Sequence, residues 1–147
     1  MNTRILTAVI VSLFVCQQLH AQQPNIEGTW EVVSCVAEGK YIENDSYLWR
    51  FEGNRIYILD GDGSGVVGGI FSVDESAMPA EIDFWCGACL SLIRTIGIYE
   101  MDDDVLTIYS RIFLDVQVQT RPDRFESTED YPTMLLVLRR VTVEESE

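Results

Sequence analysis

Residues 47–59, YLWRFEGNRIYIL, decide the fold of this chain because two alternating segments flank a tight turn. Gly53 and Asn54 form the turn, since both residue types accept the positive φ angles that primed hairpin turns require. Counting outward from the turn gives the register of an antiparallel hairpin, with successive pairs on opposite faces. The predicted pairs are Glu52 with Arg55, Phe51 with Ile56, Arg50 with Tyr57, and Trp49 with Ile58.

The two faces of this hairpin differ in polarity. One face is apolar and is expected to line a shared interior, where its side chains would contact any ligand held there. A two-stranded ribbon with one apolar face is not stable alone, so further strands must cover it. The apolar face consists of Trp49, Phe51, Ile56 and Ile58, and the polar face of Arg50, Glu52, Arg55 and Tyr57.

Short alternating or β-branched runs continue through the rest of the chain, and no sustained helical period follows residue 21. About eight strands are predicted, which indicates an all-β domain. A closed barrel and an open two-sheet sandwich both satisfy this pattern. The predicted strands are Gly28–Ala37, Tyr47–Glu52, Arg55–Leu59, Val66–Val73, Glu81–Trp85, Thr95–Met101, Val105–Ile112 and Thr133–Val141.

The first 21 residues have the pattern of an export signal. Arg4 precedes the apolar run Ile5–Val15, and cleavage is expected after Ala21. That run is shorter than the roughly 20 residues of a membrane span, and no later stretch comes close. A lipid anchor on Cys16 is disfavoured because the branched Val15 occupies a position where lipoprotein signals usually carry a small residue. We expect a periplasmic or extracellular protein with one domain over residues 22–147, ending in an acidic tail from about residue 142.

The charge of the chain excludes several function classes. There are 24 acidic and 10 basic residues, giving a formal charge of −14, and loss of Arg4 with the signal makes it −15. Such a surface repels nucleic acid and anionic lipid. The single histidine, His20, also leaves with the signal. Mechanisms and zinc sites that need imidazole are therefore not expected, which leaves carboxylate chemistry, thiol chemistry and binding.

Three cysteines, Cys35, Cys86 and Cys89, remain after cleavage, so at most one internal disulfide can form. The pairing is open between Cys86 with Cys89 and either of them with Cys35. The run from Trp85 to Cys89 also resembles a thioredoxin active site, in which a Cys-x-x-Cys begins a helix. Hairpins precede the motif here, and Thr95 follows where a helix should continue. Thiol-disulfide catalysis is therefore only a remote alternative.

Acidic residues suggest two further kinds of site. Asp60, Asp62 and Ser64 match the first half of a calcium loop, but its twelfth position is Phe71 rather than glutamate. A glycine-rich turn is the preferred interpretation, with no metal and no cofactor. Asp83 and Glu100 lie on predicted strands, but nothing marks them as a catalytic carboxylate pair. We therefore expect a protein that is not an enzyme.

Several short motifs occur in order along residues 22–147. They are Gly28–Ser34, Trp49–Asn54, Pro79–Asp83, Gly97–Asp102, Arg121-Pro122 and Leu138–Arg140. Together they resemble the lipocalin-like domain family abundant in planctomycete bacteria, an exported family whose function is not established. The resemblance implies a single antiparallel, roughly eight-stranded up-and-down barrel rather than a sandwich.

The same resemblance implies a structural plug at the closed end of the barrel. Trp30, on the first strand, would lie there under an arginine of the last strand, either Arg139 or Arg140. A guanidinium can stack on an indole face and donate to nearby backbone carbonyls. Buried aromatic residues usually serve packing, so this pair is expected to close the fold rather than bind a ligand.

Two functions are predicted with nearly equal support. The first is a binding module that holds a small apolar or amphipathic ligand in the barrel. The second is a cell-envelope interaction or structural module with a filled barrel and a functional outer surface. A hollow interior would favour the first function, and native packing density throughout would favour the second.

Overall fold

The computed structural model describes residues 25–43, 47–88, 91–113, 120–126 and 133–142. These residues form nine β-strands, and none of them is helical. The strands are β1 (Gly28–Ala37), β2 (Lys40–Tyr41), β3 (Leu48–Glu52), β4 (Arg55–Leu59), β5 (Gly65–Asp74), β6 (Ala80–Ala88), β7 (Ser91–Asp102), β8 (Val105–Phe113) and β9 (Thr133–Arg140).

Eight of these strands close into an antiparallel barrel. From β3 to β9 each strand pairs with the next along the chain, and β1 pairs with both β3 and β9. The β1–β9 ladder extends from Trp30 opposite Arg140 to Ala37 opposite Met134. This closure confirms the predicted up-and-down barrel and removes the open edges that a sandwich would leave.

The β3–β4 hairpin has the register expected from its sequence. Phe51 pairs with Ile56 and Trp49 with Ile58, while Glu52 and Arg55 flank the turn. Gly53 has a φ of 61°, and Asn54 does not share the positive φ. Trp49, Phe51 and Ile56 are buried. The predicted separation of an apolar inner face from a polar outer face is confirmed.

A two-residue strand, β2, was not predicted. It forms a hairpin with the end of β1, in which Ala37 pairs with Lys40. The turn residues Glu38 and Gly39 have φ angles of 52° and 73°. Because β2 contributes only two residues, both exposed, it leaves no hydrophobic period for sequence analysis to detect.

A β-bulge in β1 changes which side chains face the interior. Val32 pairs with Leu138 and Ser34 with Val137, so Val33 is an extra residue between them. Strict alternation from Trp30 would place Cys35 outside the barrel. The bulge instead pairs Cys35 with the buried Leu136 and turns the thiol inward.

Aromatic side chains fill the centre of the barrel. The ring of Trp49 meets that of Phe84 edge to face at 5.9 Å, and Phe51 meets Phe71 at 5.0 Å. Edge-to-face contacts at these distances are favourable beyond the apolar area they bury. The central layer is therefore packed rather than hollow.

Part of the outer surface is also covered. Ile96, Ile98 and Tyr109 are buried although the register places them on the outer face of β7 and β8. Residues 120–126 cross this face, where Arg121 donates to the carbonyl oxygen of Gly97 at 2.6 Å. Residues 120–126 therefore contribute to a second, smaller packed layer outside the barrel.

The described residues contain no helix long and apolar enough to cross a membrane.

Candidate ligand-binding cavity

An apolar cavity of about 380 Å³ lies at one end of the barrel. It forms where β1 separates from β3, because β3 pairs only with Gly28–Glu31 while the end of β1 pairs with β2. No ladder joins the second half of β1 to β3 among the described residues. The cavity therefore lies beside an interruption in the hydrogen-bonded wall.

The cavity walls come from five neighbouring barrel strands, of which β5 contributes Val67. Val32 of β1, Trp49 of β3, Ile58 of β4 and Leu136 of β9 all contribute. Trp49 is 9% exposed and Leu136 only 2%, so these walls belong to the barrel interior. Apolar side chains arranged around a space of this size suit an apolar molecule.

The mouth of the cavity follows β2. Ile42, Glu43 and Tyr47 border it. Ile42 is 45% exposed and Tyr47 is 41% exposed, so two large apolar or aromatic side chains face solvent there. The exposed Glu43 is the only charged side chain among the cavity-lining residues that the structure describes.

Two of the four ligand contacts predicted from the β3–β4 hairpin line the cavity, and two do not. Trp49 and Ile58 border the space. Phe51 and Ile56 point to the same interior but are each 1% exposed in the packed central layer. The alternation of apolar residues in β3 and β4 correctly identified the side chains that face the interior. It did not indicate which of them lie in the packed layer and which line the cavity.

Cys35 is a free thiol at the cavity wall. Burial raises its pKa, because an apolar environment disfavours the thiolate. The β1 bulge is the reason that Cys35 faces the cavity, and no sequence signal marks that bulge. By contrast, Met134 and Leu136 are apolar residues at an alternating spacing in β9, which a register for that strand could have identified.

The described part of the Cys-x-x-Cys motif, residues 86–88, ends β6. β6 continues through Ala88 and β7 begins at Ser91, with Cys86 paired by backbone to Ile93. The redox hypothesis assumed a helix that lowers a thiol pKa, and neither strand provides one. Because Cys35 is a free thiol, the predicted alternative that joins Cys35 to Cys86 or Cys89 is wrong. Cys89 lies outside the described residues, so a bridge between Cys86 and Cys89 stays a prediction.

The opposite end of the barrel is occupied by Trp30 and Arg140. The guanidinium carbon of Arg140 lies 4.2 Å from the centre of the Trp30 ring, and the indole Nε1 donates to the carbonyl oxygen of Ile26 at 2.9 Å. Arg140 also donates to the carbonyl oxygens of Glu27 and Asn25 at 2.7 and 2.8 Å. The structure thus places Arg140, and not Arg139, over the indole.

Arg139 points to the outer surface instead. Its Nη1 lies 3.5 Å from Oε1 of Glu31, and both side chains are about half exposed. The two arginines alternate along β9, so only one of them can reach the barrel end. Arg140 and Trp30 lie far from the cavity walls formed by Met134 and Leu136 at the start of the same strand.

The acidic residues on the predicted strands do not face the cavity. Asp83 lies on the outer face, where Arg121 Nη1 contacts its Oδ1 at 2.6 Å and Arg94 Nη2 contacts its Oδ2 at 3.2 Å. Glu81 accepts a further contact from Arg121 Nε at 3.0 Å. Glu100 is exposed. Asp83 therefore anchors the segment that crosses β6 and β7, and nothing pairs it with Glu100.

The glycine-rich loop forms a turn closed by its own hydrogen bonds. Ser64 N donates to Asp62 Oδ1 at 2.9 Å, and Ser64 Oγ lies 3.3 Å from Asp60 Oδ2. The hydrogen bonds from Ser64 hold the pKa of Asp62 below its usual range. Within the described ranges, no group of three or more histidine, cysteine or acidic side chains could hold a metal ion.

No protein-family model matches this chain, and no curated protein or solved structure shows significant similarity to it. The resemblance to a lipocalin-like family therefore remains an expectation. The function must be argued from the fold and the cavity.

Proposed function

We propose that this protein is an exported binding module that holds one small apolar or amphipathic molecule in its barrel. The observation that carries the proposal is the cavity of about 380 Å³. Ligand pockets in proteins have volumes of roughly 300–1,000 Å³ and mostly apolar walls. The lipocalin-like resemblance and the signal-like residues 1–21 support the binding role and export, respectively.

The position of the cavity supports binding over simple imperfect packing. The central layer below it is filled by aromatic contacts, and the cavity lies at the end where the β1–β3 ladder stops. Exposed apolar side chains, Ile42 and Tyr47, stand at its mouth. An apolar ligand would cover surface that otherwise remains in contact with water, which is favourable in proportion to the area buried.

The test uses N-phenyl-1-naphthylamine, a neutral dye whose fluorescence increases in apolar surroundings. We expect a saturable increase with one dye per chain. Cys35→Trp places a large side chain in the cavity and should weaken dye binding on the order of tenfold, since it removes volume that the dye needs. The matched control is Ser34→Trp, the same substitution one residue away on the outer face of β1.

Circular dichroism would verify that both variants keep the barrel. The binding proposal fails if the folded protein shows no saturable dye binding. It fails equally if Cys35→Trp and Ser34→Trp bind the dye as well as the unmodified chain.

A second candidate function, an interaction module of the cell envelope, is favoured by the outer face of β3–β5. The guanidinium carbon of Arg50 lies 4.9 Å from the Tyr57 ring centre, and Ile70 is 49% exposed nearby. Neither Arg50 nor Arg55 forms an ion pair with any described residue. An acidic partner protein would suit this face. Its binding should be lost on Arg55→Glu and retained on Cys35→Trp, the reverse of the dye result.

We propose no enzymatic activity for the chain. Thiol-disulfide exchange at Cys86 and Cys89 remains a remote alternative that rests on the sequence motif. Insulin reduction that disappears on Cys86→Ser would establish it.

A further inference from the structure

We propose that the cavity selects cationic amphiphiles, meaning a hydrocarbon body with one ammonium group, over carboxylates of the same chain length. This inference rests on the proposed binding function and specifies the ligand class. It is carried by the charges and the aromatic side chains around the mouth.

The cavity offers an anionic ligand no compensating charge. Among its described lining residues the only charged group is the carboxylate of Glu43. A carboxylate headgroup placed there would be repelled by Glu43 and would lose hydration without gaining a cation. An ammonium headgroup would instead meet an opposite charge at the rim.

None of the basic residues that the structure describes lines the cavity. Arg94 and Arg121 are engaged with Asp83 on the outer face, and Arg140 is at the opposite end of the barrel. Lys40 is on β2 and does not line the cavity. Some residues between 25 and 142 are not described by the structure, and their sequence contains no lysine, arginine or histidine. The charged residues among them are all acidic: Asp45, Asp115, Glu129 and Asp130.

Two aromatic side chains offer a second attraction for a cation. Tyr47 and Trp49 both line the cavity, with Tyr47 near the surface and Trp49 deeper. Aromatic faces attract ammonium groups, most strongly when water is excluded. An ammonium group beside Tyr47 and Glu43 would leave its hydrocarbon chain to pack toward Ile58 and Leu136.

The charge of the whole molecule acts in the same direction. With a formal charge of −14, the chain attracts cations and repels anions over a Debye length. This long-range term adds to the local effect of Glu43 and should weaken as salt is added.

The test is displacement of N-phenyl-1-naphthylamine by three ligands of equal chain length: decylamine, decanol and decanoate. At low salt and neutral pH we expect decylamine to displace the dye at a concentration on the order of tenfold lower than decanoate, with decanol between them. The difference should shrink at about 0.5 M salt, where the Debye length falls to about 4 Å and the charge of the protein is screened.

Variants assign the effect to the mouth. Glu43→Gln should weaken decylamine about threefold to fivefold and leave decanol unchanged, as expected for an exposed charge pair. Glu38→Gln is the matched control, because Glu38 lies in the β1–β2 turn and does not line the cavity. Lys40→Gln should leave the order of the three ligands unchanged.

The outcomes separate the two proposals. If the dye binds but decanoate displaces it as well as decylamine does, the charge selectivity is wrong and the binding function stands. If Glu38→Gln has the same effect as Glu43→Gln, the assignment to the mouth is wrong. If the dye does not bind at all, both proposals fail.

Discussion

Arg140 joins three separated parts of the chain at the closed end of the barrel. Its guanidinium lies over Trp30, donates to carbonyl oxygens of residues 25 and 27, and its Nε lies 3.4 Å from Oδ1 of Asp104. Gly28 permits this approach, since a Cβ there would lie 2.8 Å from Arg140 Nη1 and its φ is +126°. The Arg140 side chain thereby donates to two carbonyl oxygens, at residues 25 and 27, that would otherwise need water as a donor.

We expect Arg140→Met to lower the free energy of unfolding by about 2–4 kcal/mol, because it removes a cation–π contact with a buried indole and several hydrogen bonds. The matched control is Arg139→Met, which removes one exposed ion pair and should cost less than about 1 kcal/mol. Urea unfolding followed by tryptophan fluorescence measures both. Equal losses for the two variants would contradict the plug assignment.

The sequence predicted an arginine over Trp30 but left open whether it is Arg139 or Arg140. Arg139 and Arg140 are adjacent and chemically identical, so composition and spacing do not separate them. The choice depends on the β1–β9 register, which pairs Trp30 with Arg140. The β1–β9 register pairs residues that are 97 to 110 positions apart in the chain, and no local signal specifies it.

At the scale of elements, β7 and β8 approach more closely than ordinary side chains would allow. A Cβ on Gly97 would lie 2.7 Å from the carbonyl oxygen of Tyr109 and 3.0 Å from the Cβ of Ser110. Both obstacles belong to the paired strand, so neither can move without disturbing the ladder. Gly97 is therefore required for contact between these two strands.

We expect Gly97→Ala to destabilise the barrel by about 1–3 kcal/mol, the usual cost of overpacking a filled interior. Gly68→Ala is the matched control, since an added Cβ on this exposed strand glycine would meet only Tyr57 Cδ1, at 4.0 Å. That change should be neutral or slightly stabilising, because alanine loses less chain entropy on folding. Thermal unfolding of both variants measures the change in stability. If Gly97→Ala is as stable as the unmodified chain, the close contact between β7 and β8 at Gly97 is contradicted.

All eight barrel strands were predicted, but only some of the predicted bounds agree with the structure. β1 and β4 have the predicted bounds, and the other long strands overlap their predictions. β6 and β7 extend further than predicted, to Ala88 and from Ser91. The β1 bulge and β2 could not be predicted, because the bulge depends on the β1–β9 register and β2 on a pairing of two residues, and neither leaves a period within the strand itself.

At the scale of the whole molecule, excess negative charge opposes folding. A formal charge of −14 on 147 residues repels itself more strongly in the compact state than in the unfolded chain. We therefore expect the melting temperature to rise as NaCl is added. Most of the rise should occur below about 0.2 M, where the Debye length falls steeply, and little above it.

Differential scanning calorimetry across a salt series measures this effect. A linear rise that continues at high salt would indicate a general salt effect on apolar burial instead. A melting temperature that falls as salt is added would show that attractive ion pairs, such as those of Arg121 with Asp83 and Glu81, outweigh the net repulsion.

The sequence by itself determined the all-β class, the β3–β4 register and the inner apolar face, because turn chemistry and a two-residue period are local properties. The tertiary structure decided that Arg140 covers Trp30, that the β1 bulge turns Cys35 inward, and that Asp83 lies under Arg121. It also placed open space beside Trp49 and Ile58 while filling the layer around Phe51 and Ile56. These outcomes depend on how distant strands meet when the barrel closes, which no short stretch of sequence encodes.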